Sequence, residues 1–177
     1  MEDAARVQHL LDVLVEAVSQ YCLRQIANGA EIIQLFDSWA GVLSAEQIRH
    51  WVIAPTAKIV AQIKSVYPDV PVIGFPKGIG VMLPEYALLT GVNAVSLDAT
   101  MPLEWAVAHV APHIVLQGNL DPLTLITGGR TMLDAADTIL DKAQSRALVF
   151  NLGHGIDKKT PSEHVAQLVQ HIRSKAV

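Results

Sequence analysis

The stretch Leu148-Val149-Phe150-Asn151-Leu152-Gly153-His154-Gly155 passes from an apolar run into a polar turn in which a histidine stands between two glycines. Four earlier apolar runs also end in polar residues, at 36–41, 75–78, 97–98 and 117–122. In a (β/α) barrel, the loops at the carboxyl ends of parallel strands bring side chains together on one face, where the chemistry takes place. Five such endings predict the rim of an enzyme active site.

Helical and strand patterns alternate along the whole chain. Strands are predicted at 31–36, 72–75, 94–97, 114–117 and 148–151, and helices at 3–27, 44–66, 83–90, 102–110, 131–143 and 161–175. Strict alternation with short strands predicts an α/β fold whose parallel sheet is built from right-handed βαβ units. Because no linker or low-complexity segment interrupts the pattern, one domain, or one piece of a domain, is expected over residues 1–177.

Several helix ends carry local signals. Ser44-Ala45-Glu46-Gln47 has the pattern of a capping box, and Pro55 is expected to kink or divide the helix that follows. Gly29 and Gly91 are placed to end helices, and Pro161 is expected at the first position of the last helix.

Two architectures fit five parallel strands. An open sheet of the flavodoxin or Rossmann type suits the strand number, and a portion of a (β/α)8 barrel suits the polar strand ends. A Rossmann fold needs a glycine fingerprint after its first strand, which 37–41 does not contain, and Gly78-Ile79-Gly80 is a weak phosphate-loop signal.

Composition limits the functional classes. The net charge is −4 and the chain has no basic run, which argues against a nucleic-acid surface. No apolar stretch reaches the roughly 20 residues of a membrane span, and the polar start is unlike a secretory signal, so that the cytoplasm is the expected compartment. A single cysteine, Cys22, argues against a disulfide framework or a cysteine-rich metal site.

The candidate site residues follow the strands. Histidine as a residue type changes its charge near neutral pH, so that a histidine such as His154 can bind an anion or relay a proton, and Ser38 can donate a hydrogen bond to a polar substrate. Lys77 can neutralise a carboxylate. The other candidates for substrate binding at strand ends are Phe36, Gln117 and Asn119.

Other polar residues have an expected structural role. Asp98 and Asp121 can hold the turns that follow them, as aspartates often do, and Asp157-Lys158-Lys159 is expected to be a solvated turn. Asp37 is a carboxylate at the same strand end as Ser38 and can equally cap the loop that follows. The histidines other than His154 are expected on the surface, beside helices: His9, His50, His109, His113, His164 and His171. Metal ligands do not recur at the spacing of a metal site.

Taken together, the motifs 35–41 (LFDSWAG), 74–78 (GFPKG), 117–122 (QGNLDP) and 151–155 (NLGHG) resemble the uroporphyrinogen decarboxylase family of haem biosynthesis. The resemblance is in order and spans roughly residues 20–172. It implies a (β/α)8 barrel, usually homodimeric, that removes the four acetate carboxyls of uroporphyrinogen to give coproporphyrinogen without a metal or organic cofactor. Ser38 and His154 match positions that contact the substrate in this family.

The resemblance also implies that the chain corresponds to the carboxyl-terminal part of the barrel. The family's amino-terminal half supplies an arginine-rich loop, an aspartate that binds the pyrrole N–H groups and a tyrosine near the reacting acetate, and none of these motifs occurs in residues 1–177. Self-association or pairing with a complementary amino-terminal half is therefore expected, because a partial barrel leaves open sheet edges.

Two alternatives follow from the same resemblance. One is a non-catalytic remnant that binds a tetrapyrrole or a partner chain. The other is a methyltransferase of the same superfamily, which would need a set of His and Cys metal ligands that the sequence lacks.

Overall fold

The computed structural model describes residues 3–143 and 146–175. The strands are β1 (Ile33–Asp37), β2 (Val72–Pro76), β3 (Ala94–Ser96), β4 (Val115–Leu120) and β5 (Leu148–Leu152). The helices are α1 (Ala4–Ala27), α2 (Ala45–Ile48), α3 (Ala54–Val66), α4 (Leu83–Thr90), α5 (Leu103–His109), α6 (Pro122–Thr127), α7 (Gly129–Ala143) and α8 (Ser162–Lys175). Within the described ranges, no helix is both long and apolar enough to cross a membrane.

The chain divides into two compact units, Met1–Val95 and Ser96–Val177. In the first unit β2 lies between β1 and β3, with all three strands parallel. Ile33 is in register with Val72 at one end of the β1–β2 pair, and Asp37 is in register with Pro76 at the other. The expectation of a single domain over residues 1–177 stays a prediction.

In the second unit β4 and β5 are parallel, from Leu116 opposite Leu148 to Leu120 opposite Leu152. Leu97, directly after β3, donates its backbone N–H to the carbonyl of Gln117 in β4 at 2.8 Å. The predicted α/β fold, with five parallel strands that alternate with helices, is confirmed.

Strand neighbours decide between the two architectures. A flavodoxin-type sheet places its first strand between the second and third, and a Rossmann sheet places the fourth strand beside the first. In the first unit β2 lies between β1 and β3, which excludes the flavodoxin order, and in the second unit the residue that follows β3 bonds to β4, which excludes the Rossmann order. Sequential parallel order is the order of a (β/α) barrel.

Helix α1 forms as its periodicity predicts. Asp3 accepts a hydrogen bond from the backbone N–H of Arg6 at 3.1 Å and so caps the helix, and Val15, Cys22 and Ile26 are buried along one face. Gly29 follows the helix with φ +101°, in the left-handed region that favours glycine.

The predicted helix 44–66 is divided into three parts. Ser44 and Gln47 form the expected capping box at the start of α2. A π-helical turn, Arg49–Ile53, then separates α2 from α3, and Pro55 lies in the first turn of α3. A proline has no N–H to donate and its ring clashes with the preceding turn, and we attribute the wider turn to this constraint.

Four sequence predictions are corrected in the second unit. β4 continues beyond the predicted end at 117 to Leu120, α6 was not predicted, and Pro161 precedes α8 rather than opening it. The helix that was expected to begin at 131 begins at Gly129. β4 is longer because its polar side chains have buried partners, which the sequence pattern does not reveal.

Two of the histidines that were expected on the surface are half-buried. His164 shares a hydrogen bond through Nδ1 with the carbonyl of Leu125 at 2.9 Å, and Gly128 leaves the space that its ring fills. His171 is paired with Asp137, Nε2 to Oδ1, at 2.7 Å. Both contacts join helices that are distant in the sequence, which explains why local patterns missed them.

Candidate functional site

In the first unit, the loop after β1 carries Ser38 and Trp39 with their side chains exposed. Asp37 Oδ1 accepts a hydrogen bond from the backbone N–H of Trp39 at 3.1 Å, so that the aspartate holds the turn as predicted. Ala40, which follows, is buried. The turn is therefore held at Asp37 and at Ala40, and the exposed Ser38 and Trp39 lie between these two points.

The loop after β2 is bonded to the loop after β1. Lys77 donates its backbone N–H to the carbonyl of Asp37 and accepts at its own carbonyl from the N–H of Gly41, each at 3.0 Å. The side chain of Lys77 is half-buried. The structure thus brings the loops of two predicted site residues, Ser38 and Lys77, together.

Phe36 lies at the same end of β1 and is 69% exposed. Its ring meets the buried ring of Phe75 edge to face, with centroids 6.0 Å apart and planes at 84°. Aromatic pairs favour this edge-to-face arrangement. A large exposed aromatic face therefore stands beside the turn that carries Ser38.

Tyr86 of α4 is a buried polar residue that sequence reasoning missed. Burial raises the pKa of its phenol well above the usual value, and a hydrogen bond with Thr56 opposes that rise. The ring lies against Gly74 of β2, where any Cβ would collide with the phenol. The signal in the sequence was the glycine inside an otherwise apolar strand.

In the second unit, two predicted substrate-binding residues are buried within β4. Gln117 is 2% exposed and donates from Nε2 to the Ser96 hydroxyl at 3.1 Å. Asn119 donates from Nδ2 to the carbonyls of Asp98, at 2.9 Å, and Met101, at 2.7 Å. Both side chains tie β4 to the end of β3 and the turn after it. Their contact with a substrate stays a prediction.

The turns after β3 and β4 are held by their aspartates, as predicted. Asp98 Oδ1 accepts from the backbone N–H of Thr100 at 2.8 Å and from its hydroxyl at 2.5 Å. Asp121 caps α6 by accepting from the backbone N–H of Leu123 at 2.9 Å.

The loop after β5 exposes His154 on a fixed backbone. The neighbouring Gly153 is buried, donates its N–H to the carbonyl of Leu120 at 2.8 Å and packs on the backbone of Ala99, where a Cβ would not fit. Gly153 permits this close approach because it has no side chain. These backbone contacts of Gly153 fix the position of the exposed His154 imidazole next to it.

The same loop continues into the turn that was expected to be solvated. Asp157 Oδ1 accepts from the backbone N–H of Lys159 at 2.7 Å, and the side chains of 157–159 are exposed. Among residues 3–143 and 146–175, no three His, Cys, Asp or Glu side chains are grouped so that they could hold a metal ion.

The chain matches the family model described as "Uroporphyrinogen decarboxylase (URO-D)" over residues 1–175. It is 48% identical over 171 residues to a uroporphyrinogen decarboxylase of Rhizorhabdus wittichii, which covers 97% of this chain and 50% of that protein. It is 46% identical over 172 residues to the uroporphyrinogen decarboxylase of Erythrobacter litoralis, with the same two coverages. The chain therefore spans about half the length of the curated relatives it matches.

A methyltransferase from Methanosarcina mazei has a similar solved structure. The TM-score is 0.80 at 20% sequence identity, over 94% of this chain and 48% of that one. At this identity the likeness concerns the fold alone.

Proposed function

The chain belongs to the uroporphyrinogen decarboxylase family, and we propose that its 177 residues supply half of the active site that converts uroporphyrinogen to coproporphyrinogen. The single observation that best supports this proposal is the His154 loop. Its backbone is anchored at Gly153, whereas the imidazole next to it is exposed at the carboxyl end of a parallel strand. Such strand ends are where (β/α) barrels carry their chemistry.

The proposed reaction needs no metal or organic cofactor, because the pyrrole ring itself accepts the electrons. Protonation of a pyrrole carbon makes the ring an iminium-like cation. The bond between the acetate methylene and its carboxylate then breaks, CO2 leaves, and the electron pair neutralises the ring. A second proton adds to the methylene carbon to form a methyl group, and the ring carbon loses the first proton. Each cycle consumes one proton and releases one CO2.

The protein's task in this scheme is to position an anionic substrate and to handle protons. We assign hydrogen bonding or proton transfer at the substrate to His154 and Ser38, the catalytic candidates. Lys77, on a loop bonded to that of Ser38, supplies positive charge for a carboxylate, and Phe36 supplies an apolar face for the macrocycle. In the second unit, Gln117 and Asn119 are assigned to substrate binding through the strand ends that they hold.

The decisive experiment is an anaerobic assay with uroporphyrinogen in which products are separated by their number of carboxylates. The chain is assayed alone, and then mixed with a polypeptide that covers the half of the Rhizorhabdus wittichii relative that this chain does not match. We expect no turnover by either part alone and the four-carboxylate product from the mixture. Turnover by the 177-residue chain alone would show that it assembles a complete site.

The assay also separates the alternative functions. Tetrapyrrole binding by the mixture without any loss of carboxylates would favour the non-catalytic remnant, and would contradict the proposal. No present observation favours the methyltransferase, because its similarity to this chain concerns the fold alone.

A further inference from the structure

In the second unit, one side chain of β4 bonds both ends of the turn that follows β3. Asn119 is buried and donates from Nδ2 to the carbonyls of Asp98, at 2.9 Å, and Met101, at 2.7 Å. The turn closes on itself through the backbone N–H of Met101, which donates to the same Asp98 carbonyl at 3.1 Å. The amide of Asn119 therefore fixes the turn 98–101 on the strand.

The middle of this turn is held by the Asp98 carboxylate. Its Oδ1 accepts hydrogen bonds from the backbone N–H and from the hydroxyl of Thr100. Asp98 and Met101 are buried, whereas Ala99 and Thr100, which lie between them, are exposed. Ala99 is thus an exposed residue whose backbone is fixed from both sides.

The loop after β5 rests on this fixed backbone. A Cβ built on Gly153 would come closer to the backbone nitrogen and Cα of Ala99 than real Cβ atoms do, so that Gly153 and Ala99 are in close contact. A displacement of Ala99 toward Gly153 would therefore displace Gly153 as well, and with it the exposed imidazole of His154, the next residue. The contacts run from Asn119 through the turn 98–101 to His154.

The hydrogen bonds of Asn119 indicate how it acts. An amide nitrogen carries two hydrogens, and two carbonyls of the turn accept from this one. The Nδ2 group therefore has no hydrogen left to donate to a substrate. Its effect on a reaction has to pass through the turn that it holds.

We infer that Asn119 is a positioning residue for His154, because its amide holds the turn 98–101 on which the His154 loop rests. This inference deepens the proposed function and rests on it for the role of His154 in the reaction. A reacting group that is misplaced by about 1 Å can lose about 10²-fold in rate, so that the support of its loop matters to catalysis.

The position of His154 can be followed by NMR spectroscopy of the intact 177-residue chain, in which each imidazole gives its own Cε1–Hε1 signal. His154→Gln identifies the signal of His154 by its loss. We expect Asn119→Ala to move this signal by more than its line width. The signal of His171 should stay in place, because His171 is held by Asp137 on α7.

Two further variants make the test specific. Arg146→Lys removes buried hydrogen bonds in the same unit, but to four backbone carbonyls that precede the end of β4 opposite to Asn119, and it should leave the His154 signal unmoved. Thr100→Val removes only the hydroxyl bond to Asp98, at an exposed residue. It should move the His154 signal by less than Asn119→Ala does, and it tests the turn even if Asn119→Ala does not fold.

Steady-state kinetics separate positioning from substrate contact. The measurement uses the complemented enzyme, which is this chain mixed with the other half of the Rhizorhabdus wittichii relative. Misplacement of a group that transfers a proton slows the chemical step. We therefore expect Asn119→Ala to lower kcat by about tenfold or more and to leave KM within about threefold.

Four results would overturn the inference. One is a His154 signal that stays in place in both Asn119→Ala and Thr100→Val. Another is equal movement of the His154 signal in Asn119→Ala and Arg146→Lys. A third is equal movement of the His171 signal in Asn119→Ala, which would mean that the whole unit is loosened. The last is a raised KM with an unchanged kcat, which would make Asn119 a direct substrate contact.

The NMR signal does not depend on turnover, so that the inference and the proposed function can fail separately. If the complemented wild-type enzyme does not decarboxylate uroporphyrinogen, the proposed function fails, and movement of the His154 signal still supports the positioning by Asn119. If it does decarboxylate and the His154 signal stays in place in the variants, only the positioning fails.

Discussion

Gly41 lies against the backbone of Gly78, so that the loops after β1 and β2 meet without a side chain between them. A Cβ on Gly41 would approach the carbonyl group and the Cα of Gly78 more closely than real Cβ atoms do. Ser38 and Lys77 stand on these two loops. The contact between the glycines therefore sets the spacing of two predicted site residues.

Gly41→Ala is expected to force the two loops apart. Overpacking of this kind costs about 1–3 kcal/mol, which urea denaturation of the intact chain would measure. In the complemented enzyme, the KM for uroporphyrinogen should rise as well. Gly155→Ala is the matched control, because no atom lies within 4 Å of a Cβ built there. Equal stability of the two variants would refute the role of the contact.

Gly74 and Tyr86 are expected to be energetically coupled. Gly74→Ala should cost about 1–3 kcal/mol of stability, because the new Cβ collides with the buried phenol. Tyr86→Phe removes the hydroxyl oxygen, the atom nearest to that Cβ. A double-mutant cycle by chemical denaturation should therefore give a favourable coupling of about 0.5–3 kcal/mol, and additive effects would contradict the contact.

Arg146→Lys is expected to loosen the connection from α5 to β4. The Arg146 guanidinium donates to the carbonyls of Val107, Val110, Ala111 and Ile114 at 2.9–3.2 Å. An ammonium cannot reproduce this fork, and we expect a loss of about 2–3 kcal/mol in urea denaturation. Arg130→Lys, at a side chain that is 89% exposed, should change stability by less than about 0.5 kcal/mol. Similar losses of stability in the two variants would show that the Arg146 guanidinium does not hold this connection.

The pair of Asp137 with His171 should make stability depend on acidity. The hydrogen bond from His171 lowers the pKa of Asp137 below its ordinary 3.8, burial opposes this effect, and a hydrogen bond from Lys175 adds to it. A carboxyl with a lowered folded pKa contributes stability above its unfolded pKa and loses it as the pH falls through the folded pKa. The lowered pKa of Asp137 therefore contributes stability that is present above pH 3.8 and is lost in stronger acid.

Thermal denaturation of Asp137→Asn measures this effect. The variant should have a lower Tm than the wild type near about pH 6, and the two should converge near about pH 2.5. Asp134→Asn, on the same helix and in an exposed pair with Arg130, is the control. Its Tm should change between the two pH values by as much as the Tm of the wild type does. A gap between Asp137→Asn and wild type that persists in acid would rule out this origin.

His154→Gln tests the catalytic assignment in the complemented enzyme. Loss of a group that transfers or orients a proton typically lowers kcat/KM by about 10²-fold or more, and steady-state decarboxylation rates would measure it. Because His154 is exposed, the fold should remain intact. His113→Gln, at another exposed histidine, should leave the rate unchanged. Full activity of His154→Gln would remove this residue from the catalytic role.

Local sequence signals predicted most elements of the fold. Short apolar runs that alternate with helical patterns indicated five parallel strands. The capping box at Ser44 marked the start of α2, and Gly91, with φ +72°, ends α4 as expected. These features depend on residues close together in the chain, such as a hydroxyl three residues before the N–H that it caps. The motif residues at the strand ends were likewise identified without the structure.

The tertiary structure decided what the polar residues contact. The predicted strand ended at Gln117, yet β4 continues past Asn119, and the two side chains find distant partners in Ser96, Asp98 and Met101. A single sequence contains no record of such pairings, since each joins residues 18–21 positions apart. The position of His154 after a strand could be read from the sequence, whereas the anchoring of its loop on Ala99 and Leu120 arises only when the strands pack.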